Sequence, residues 1–357
     1  MSELRLPGED TCIVLLSGIG DVVNGLPLVN ALARDDPQRR ITWIVQSEAA
    51  PILRGHAAVD HVVTFDRVRG LREAAALRRK LRPLRFDLVL NLNIYFKAAV
   101  PTFFARASHK VSFGRDRARD LVWLFANHHL PPGPPAHRVD MYLEFASFLG
   151  LTANRVAWRI TLTDAERAAR ADFLSKLDGP AVVGIVATAG RPEKDWPTER
   201  FGRLAATLDR DFGLPVVLLG GPGERERARA RAVVEAAGGA PVQALGDDLR
   251  RLIYLIDGCD FIIAPDTGPV HIARALETPV IGLYGHTDPR LHGPYRAYED
   301  LTIDRFNHDA PGVPAAPEGG RSKSGRMPMI SVEDVLEKVE YALENYVRPV
   351  GPASGRG

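Results

Sequence analysis

The stretch Asp266-Thr267-Gly268-Pro269-Val270-His271 lies between two apolar runs, and its reading organises the rest of the chain. Before it, Phe261-Ile262-Ile263-Ala264-Pro265 has the length and composition of a short buried strand. After it, Ile272-Ala273-Arg274-Ala275-Leu276 has helical spacing and stops before Pro279. A strand, a tight Gly-Pro turn and a helix start leave backbone N–H groups exposed at a helix N-terminus, an arrangement suited to phosphate. The turn is therefore expected to hold a nucleotide diphosphate.

The same alternation runs outward in both directions. Cys12-Ile13-Val14-Leu15-Leu16 precedes Ser17-Gly18-Ile19-Gly20-Asp21 and a helical pattern over residues 22–33, which reads as strand, Gly-rich loop and helix. Further strands are expected at 41–45, 61–65 and 86–90, with helices at 49–53, 71–81 and 137–149. Pro131-Pro132-Gly133-Pro134-Pro135 breaks regular structure before the last of these. The pattern then restarts with a helix over 163–177, where Thr163 is the expected N-cap and Glu166 its capping-box partner. Strands follow at 181–186, 215–219, 241–244, 261–264 and 279–283, and helices at 199–211, 224–237, 249–257 and 270–276.

Strands alternating with helices predict parallel sheets covered on both faces, hence an α/β fold of two doubly wound, Rossmann-like domains with a cleft between them. Residues 1–150 form the first and 151–330 the second. Residues 331–347 are expected to form a C-terminal helix capped by Ser331, and 348–357 a disordered tail. Residues 307–328, rich in Gly, Pro, Ser and Ala, read as a loop. Ligands bind such sheets outside the C-terminal strand ends, which singles out the loops at 17–21, 187–196, 220–226 and 266–271.

Composition sets the outer limits. A chain of 357 residues with 45% hydrophobic and 25% charged side chains suits two globular domains with real cores. Cys12 and Cys259 are each placed in an expected buried strand and read as small apolar core residues, with no disulfide framework. The first ten residues lack the basic and apolar regions of a secretion signal, and no apolar run approaches the ~18–20 residues of a membrane span, so a cytoplasmic protein is expected.

The net charge of +2 hides an asymmetry: residues 1–150 carry 20 Lys/Arg against 15 Asp/Glu, the remainder 26 against 29. Within residues 67–85 stand eight basic residues and one acid. That run reads either as a solvated helix face or as a surface turned toward anionic lipid or a phosphorylated acceptor. Nucleic acid is not an expected partner, since no helix-turn-helix, RNP or zinc-finger pattern accompanies the charge.

Each residue with chemical potential also has a plainer reading. Gly18 and Gly20 begin a dinucleotide fingerprint, but its third glycine position is Val23, so the fingerprint fails. Asp21 is then either a helix N-cap or a general base toward a substrate hydroxyl. Lys194, before Asp195-Trp196-Pro197, is a solvated loop charge or the counter-charge of a diphosphate leaving group, with Thr188 as a further donor. Glu224, after Gly220-Gly221-Pro222-Gly223, favours the helix dipole or accepts hydrogen bonds from ribose hydroxyls. His271 is a structural histidine or a phosphate contact. His286, Asp288 and His292 lack metal-ligand spacing, so no metal and no cofactor is expected.

Taken together, Ser-Gly-Ile-Gly-Asp near the start, Asp-Thr-Gly-Pro-Val-His later and Gly285-His286-Thr287-Asp288-Pro289 after it resemble glycosyltransferase family 9. Its best-known members are the lipopolysaccharide heptosyltransferases. The resemblance covers residues 13–32, 186–201, 218–230 and 257–295, and implies the GT-B architecture. It also implies a nucleotide-diphosphate-sugar donor, ADP-heptose in the heptosyltransferases, used without a metal. By that likeness Asp21 matches the catalytic base, with Gly18 and Gly20 on the acceptor side. Lys194 matches a donor-contacting lysine and Glu224 the acid near the adenosine ribose; Asp266, Thr267, Gly268 and His271 match the donor-binding turn. Three departures stand out. Ala187-Thr188-Ala189-Gly190 replaces a Pro-Gly-Ala-Ser/Thr pattern, His286 stands where the family has Pro, and residues 307–328 carry no Cys.

The resulting expectation is an inverting transfer of a sugar, heptose from ADP-heptose in the first place, onto a lipopolysaccharide core or related anionic glycolipid or saccharide. A peripheral contact with the inner membrane face is expected with it. Another nucleotide-sugar, a catalytically degenerate binding protein and a two-domain oxidoreductase are the rivals; the broken glycine fingerprint speaks against the last.

Overall fold

The computed structural model describes residues 8–66, 70–308 and 322–347. The expected secretion-signal, central-loop and tail readings fall largely outside these, as does the start of the basic run. The chain divides into two compact units, Met1–Thr161 and Leu162–Gly357.

In the first unit β1 (Asp10–Leu15), α1 (Ile19–Asp35), β2 (Arg40–Val45), β3 (His61–Thr64), α2 (Gly70–Leu81) and β4 (Phe86–Asn91) follow in order. Then come α3 (Ala99–Phe104), β5 (Ala107–Phe113), β6 (His128–Leu130) and α4 (Arg138–Phe148). The strands form one parallel sheet in the order β3-β2-β1-β4-β5-β6. β1 is fully buried from Thr11 to Leu15 and apolar from Cys12 on, as a central strand covered on both faces must be. Its cluster on one face joins Cys12, Val14, Ile44 and Val89 to Leu77 and Leu81 of α2.

The second unit repeats the plan. α5 (Asp164–Leu174) precedes β7 (Val183–Val186), α6 (Thr198–Phe212), β8 (Val216–Leu219), α7 (Glu224–Ala236) and β9 (Val242–Gln243). α8 (Leu249–Gly258), β10 (Phe261–Pro265), α9 (Gly268–Leu276), β11 (Val280–Tyr284), α10 (Pro289–His292), β12 (Ile303–Asp304) and α11 (Val332–Asn345) complete it. Its parallel sheet runs β12-β11-β10-β7-β8-β9. In both sheets the order reverses beside the unit's first strand, between β1 and β4 and between β7 and β10. Such a switch point opens a crevice at the carboxyl ends of the two strands. Val332, Val335, Val339 and Ala342 of α11 join the second unit's core, so the C-terminal helix packs there.

Differences from the sequence reading have local causes. Helix α1 begins at Ile19, earlier than the expected residue 22, because extended Gly18 serves as its N-cap. Cys12 lies in β1, whereas Cys259 is the C-cap of α8 and belongs to no strand. Both thiols are buried and free, and burial pushes each well above its ordinary pKa. Among the described residues no helix is long and apolar enough to cross a membrane.

Helix α5 has no buried side chain and is tied down by charge instead. The buried Arg250 guanidinium grips Glu166 bidentately, Nε to Oε1 at 2.7 Å and Nη2 to Oε2 at 2.6 Å. Glu166 also closes the Thr163 capping box, as the sequence predicts. The hydrogen bond from Arg250, reinforced by the cap, pulls the Glu166 carboxyl from its ordinary 4.5 down to about 2. A depressed carboxyl stabilises the fold above its unfolded pKa and stops doing so as pH falls through the folded one. Arg250→Leu is therefore expected to destabilise the second unit by roughly 3 kcal/mol near neutral pH. In urea unfolding the gap from wild type should shrink as pH drops from 4.5 toward 2.

Candidate active site

In the second unit, the loops leaving β7 and β10 meet at the switch point. Lys194, on the turn after β7, donates from Nζ to Asp266 Oδ2 at 2.5 Å. Thr287 Oγ1, on the loop after β11, donates to the same oxygen at 2.8 Å. Asp266 is 7% exposed, so its charge is held almost entirely by protein groups. Burial works to raise its pKa, but Lys194, His292 and His271 outweigh it and hold the carboxyl below its ordinary value. Asp266 therefore stays ionised and holds the Lys194 ammonium group beside it.

Immediately after Asp266 comes α9, whose N-cap is extended Thr267 with no side-chain cap bond. Pro269 in the first turn has no N–H to lose, and Val270 N–H closes on Thr267 O at 3.1 Å. The N–H groups of Thr267 and Gly268 remain at the positive end of the helix. His271 is buried in the first turns of α9. The expected strand, turn and helix thus form, and the structure brings the Lys194 ammonium group to Asp266 beside them.

The β7 loop is strapped in place by residues the sequence reading passed over. Asp195 Oδ1 accepts from Ala189 N–H at 2.7 Å, and Arg225 of α7 bonds both Asp195 and the Ala189 carbonyl. Arg229, one turn on, donates to the carbonyls of Ala187 at 3.0 Å and Trp196 at 2.6 Å. These contacts fix the segment that carries buried Thr188 and Lys194. An i, i+4 pair of arginines on a helix as rich in charge as α7 carries no sequence signal that singles it out.

The two acids at the start of α7 have different employments. Glu226 accepts from the N–H groups of Gly221 and Gly223, both at 3.0 Å. A Cβ on Gly223 would lie 2.4 Å from Glu226 Oε2, so a side chain there would have to displace that carboxylate. Glu224 keeps 80% of its side-chain surface and pairs with Arg231 at 3.1 Å. Asp288, by contrast, caps α10 and also binds Arg290 and Asn307 side chains, so it is structural. Among the described residues no cluster of three His, Cys, Asp or Glu is placed to hold a metal.

In the first unit, Asp21 is not an N-cap: it lies in the first turn of α1, two residues past its start. Its Oδ1 is 3.6 Å from Arg138 Nε at the start of α4, and the phenol of buried Tyr142, one turn on, bonds to it. Burial and the neighbouring carboxylate push that phenol well above its ordinary pKa, so Tyr142 stays protonated. Ser17 accepts from Lys97 Nζ at 3.3 Å. Gly18 leaves open space over the helix start, and Gly20 is half-buried in its first turn. Buried Asn93, just past β4, pins the end of β1 through Leu16 N–H at 3.2 Å and Val14 O at 2.9 Å. Asp21, in the first turn of α1, and Lys97, in the helical turn Phe96–Ala98, thus follow β1 and β4, the two strands that border the first unit's switch point. Neither Lys97 nor Arg138 belongs to a motif; the packing of α4 against α1 brings Arg138 to Asp21, and the strand order brings Lys97 to Ser17.

The arrangement has known relatives. A lipopolysaccharide core heptosyltransferase, OpsX, of Haemophilus influenzae is 26% identical over 93% of this chain and 96% of its own length. Lipopolysaccharide heptosyltransferase 1 of Escherichia coli K12 is 32% identical over 79% of this chain and 90% of its own. The structure of E. coli heptosyltransferase WaaC with ADP-2-deoxy-2-fluoro heptose superposes with a TM-score of 0.67 at 25% identity. That match covers 93% of this chain and 99% of the other. Two Rossmann-like units of GT-B type thus recur in proteins of this kind. Residues 74–309 match glycosyltransferase family 9 (heptosyltransferase), and the chain belongs to that family.

Proposed function

We propose that this glycosyltransferase moves heptose from ADP-heptose onto a saccharide of the lipopolysaccharide core, with inversion at the anomeric carbon. The observation that carries the donor half is the ionised Asp266–Lys194 pair beside the open N-terminus of α9. It presents one ammonium group and aligned N–H dipoles, which suits a diphosphate. Heptose and ADP come from the relatives: two are named as heptosyltransferases, and one binds an ADP-heptose analogue.

In this reading Asp21 takes the proton of the acceptor hydroxyl as its oxygen attacks the anomeric carbon. The bond from that carbon to the diphosphate oxygen breaks, and its electron pair leaves with ADP. Lys194 and the N–H groups of Thr267 and Gly268 meet the charge that develops there, so the step needs no metal. Thr188 and His271 complete the donor side, and Glu224 meets ribose hydroxyls. The acceptor is an anionic glycolipid or saccharide presented at the inner membrane face to a cytoplasmic enzyme.

The test is calorimetry of ADP-, UDP- and GDP-sugars followed by transfer assays with and without EDTA. ADP-heptose should bind preferentially and raise Tm, and turnover should survive chelation. A preference for another nucleotide-sugar would overturn the donor assignment, and loss of turnover in EDTA the metal-free step.

A further inference from the structure

Among the described residues, eight large apolar side chains are exposed, and five fall within a 30-residue window of the first unit: Tyr95, Phe96, Phe103, Leu121 and Leu124. Phe103 keeps 64% of its surface, Leu121 59% and Leu124 57%. They come from three short elements packed on one another: the helical turn Phe96–Ala98, α3, and the turn Leu121–Phe125. Phe125 joins them, its ring 5.8 Å from that of Phe96 and 6.4 Å from that of Phe103. Asp120 Oδ2 accepts from Phe96 N–H at 3.0 Å and fastens the two turns together. The result is a preformed apolar cluster, not scattered single residues, and such a cluster marks a contact surface.

Its surroundings specify the partner. Lys110 Nζ caps the end of α3, donating to Thr102 O at 2.7 Å and Phe103 O at 3.4 Å. Arg119 lies over the Tyr95 ring at 5.8 Å. Helix α2 packs against α3 and carries exposed Arg78, Arg79 and Lys80 in its last turn. From Gly70 to Phe125 there are twelve Lys/Arg against four Asp/Glu. A second copy of this chain would bring the same positive charge to the contact. Aromatic and leucine side chains ringed by arginine and lysine match instead a layer with acidic headgroups above an apolar interior.

We infer that the Phe96–Phe103–Leu121–Leu124 cluster and the basic end of α2 form one docking surface for an anionic lipid bilayer. The apolar side chains enter the headgroup boundary and the α2 cations pair with lipid phosphates. This rests on the proposed membrane-borne acceptor and adds the face that reaches it. It also gives a task to the Arg-rich helix and to aromatic residues that no core absorbs.

Flotation of the full-length protein with vesicles tests it. Wild type should float with phosphatidylethanolamine vesicles containing phosphatidylglycerol at low salt, and should not float with phosphatidylcholine alone. Phe103→Ser combined with Leu124→Ser should lower partitioning at least about tenfold. Replacing Arg78, Arg79 and Lys80 by Gln should lower it on the order of a hundredfold. Because these side chains are exposed, Tm and transfer to a water-soluble acceptor should stay at the wild-type level in both. Wild type that does not float, floats equally on neutral vesicles, or is matched by both variants overturns the inference. So does a wild-type dimer that Phe103→Ser/Leu124→Ser dissociates without any vesicle binding. Absent flotation with intact transfer overturns only this surface, whereas absent transfer with intact flotation overturns only the proposed reaction.

Discussion

Asp21→Ala is expected to lower kcat by about 10²–10⁴-fold, the range typical of a lost general base, while calorimetry shows nucleotide binding unchanged. Asp21→Asn should be nearly as slow, since an amide fills the same space beside Arg138 and Tyr142 but accepts no proton. The pair of variants separates base from scaffold. If Asp21 merely anchored α4 through Arg138, the asparagine variant would keep most of its turnover. A near-normal kcat in either variant removes Asp21 from the reaction. Arg138→Met should fall between wild type and the two Asp21 variants, because Tyr142 still orients the carboxylate. Its signature is a changed pH–rate profile, which a purely structural helix contact would leave alone.

Why Asp21 was legible and Arg138 was not follows from how each is encoded. Asp21 sits at the end of a run in which apolar strand, glycines and helix follow within a dozen residues, so the local sequence places it at a strand end. Arg138 lies more than a hundred residues away after a proline-rich segment, and reaches Asp21 only because α4 packs against α1. The fold behaved in the same way. Central strands such as β1 and β10 declare themselves through unbroken burial. Short pieces do not: α3 over Ala99–Phe104 holds a proline and two phenylalanines, β6 is three residues of His-His-Leu, and β12 is two residues. Their pairing depends on neighbours already in place. In the second unit the motif named Lys194 and Asp266 separately; their pairing required the strand order, since 72 residues separate them.

That pairing leads to the second large effect. Lys194→Ala should weaken binding of the nucleotide-sugar and slow turnover together, because the ammonium group faces charge both on the bound diphosphate and on the departing one. A loss on the order of 10²-fold in kcat/KM is expected, comparable to removing one preorganised donor from developing negative charge. Asp266→Asn tests a subtler point. Two charges within 2.5 Å and nearly out of solvent are coupled, and a carboxylate this deep would repel a diphosphate were it not committed to Lys194 and Thr287. If Asp266 acts by holding Lys194, then Asp266→Asn in the Lys194→Ala background should cost little more than Lys194→Ala alone. Such a double-mutant cycle would show coupling of 0.5–3 kcal/mol. If instead Asp266 touches the sugar directly, the two losses should add, and KM for the donor should keep rising in the double variant. Asparagine preserves the volume and the Thr287 contact, so a collapsed fold is not the expected outcome, and an unchanged Tm for Asp266→Asn confirms that the kinetic comparison is between folded enzymes.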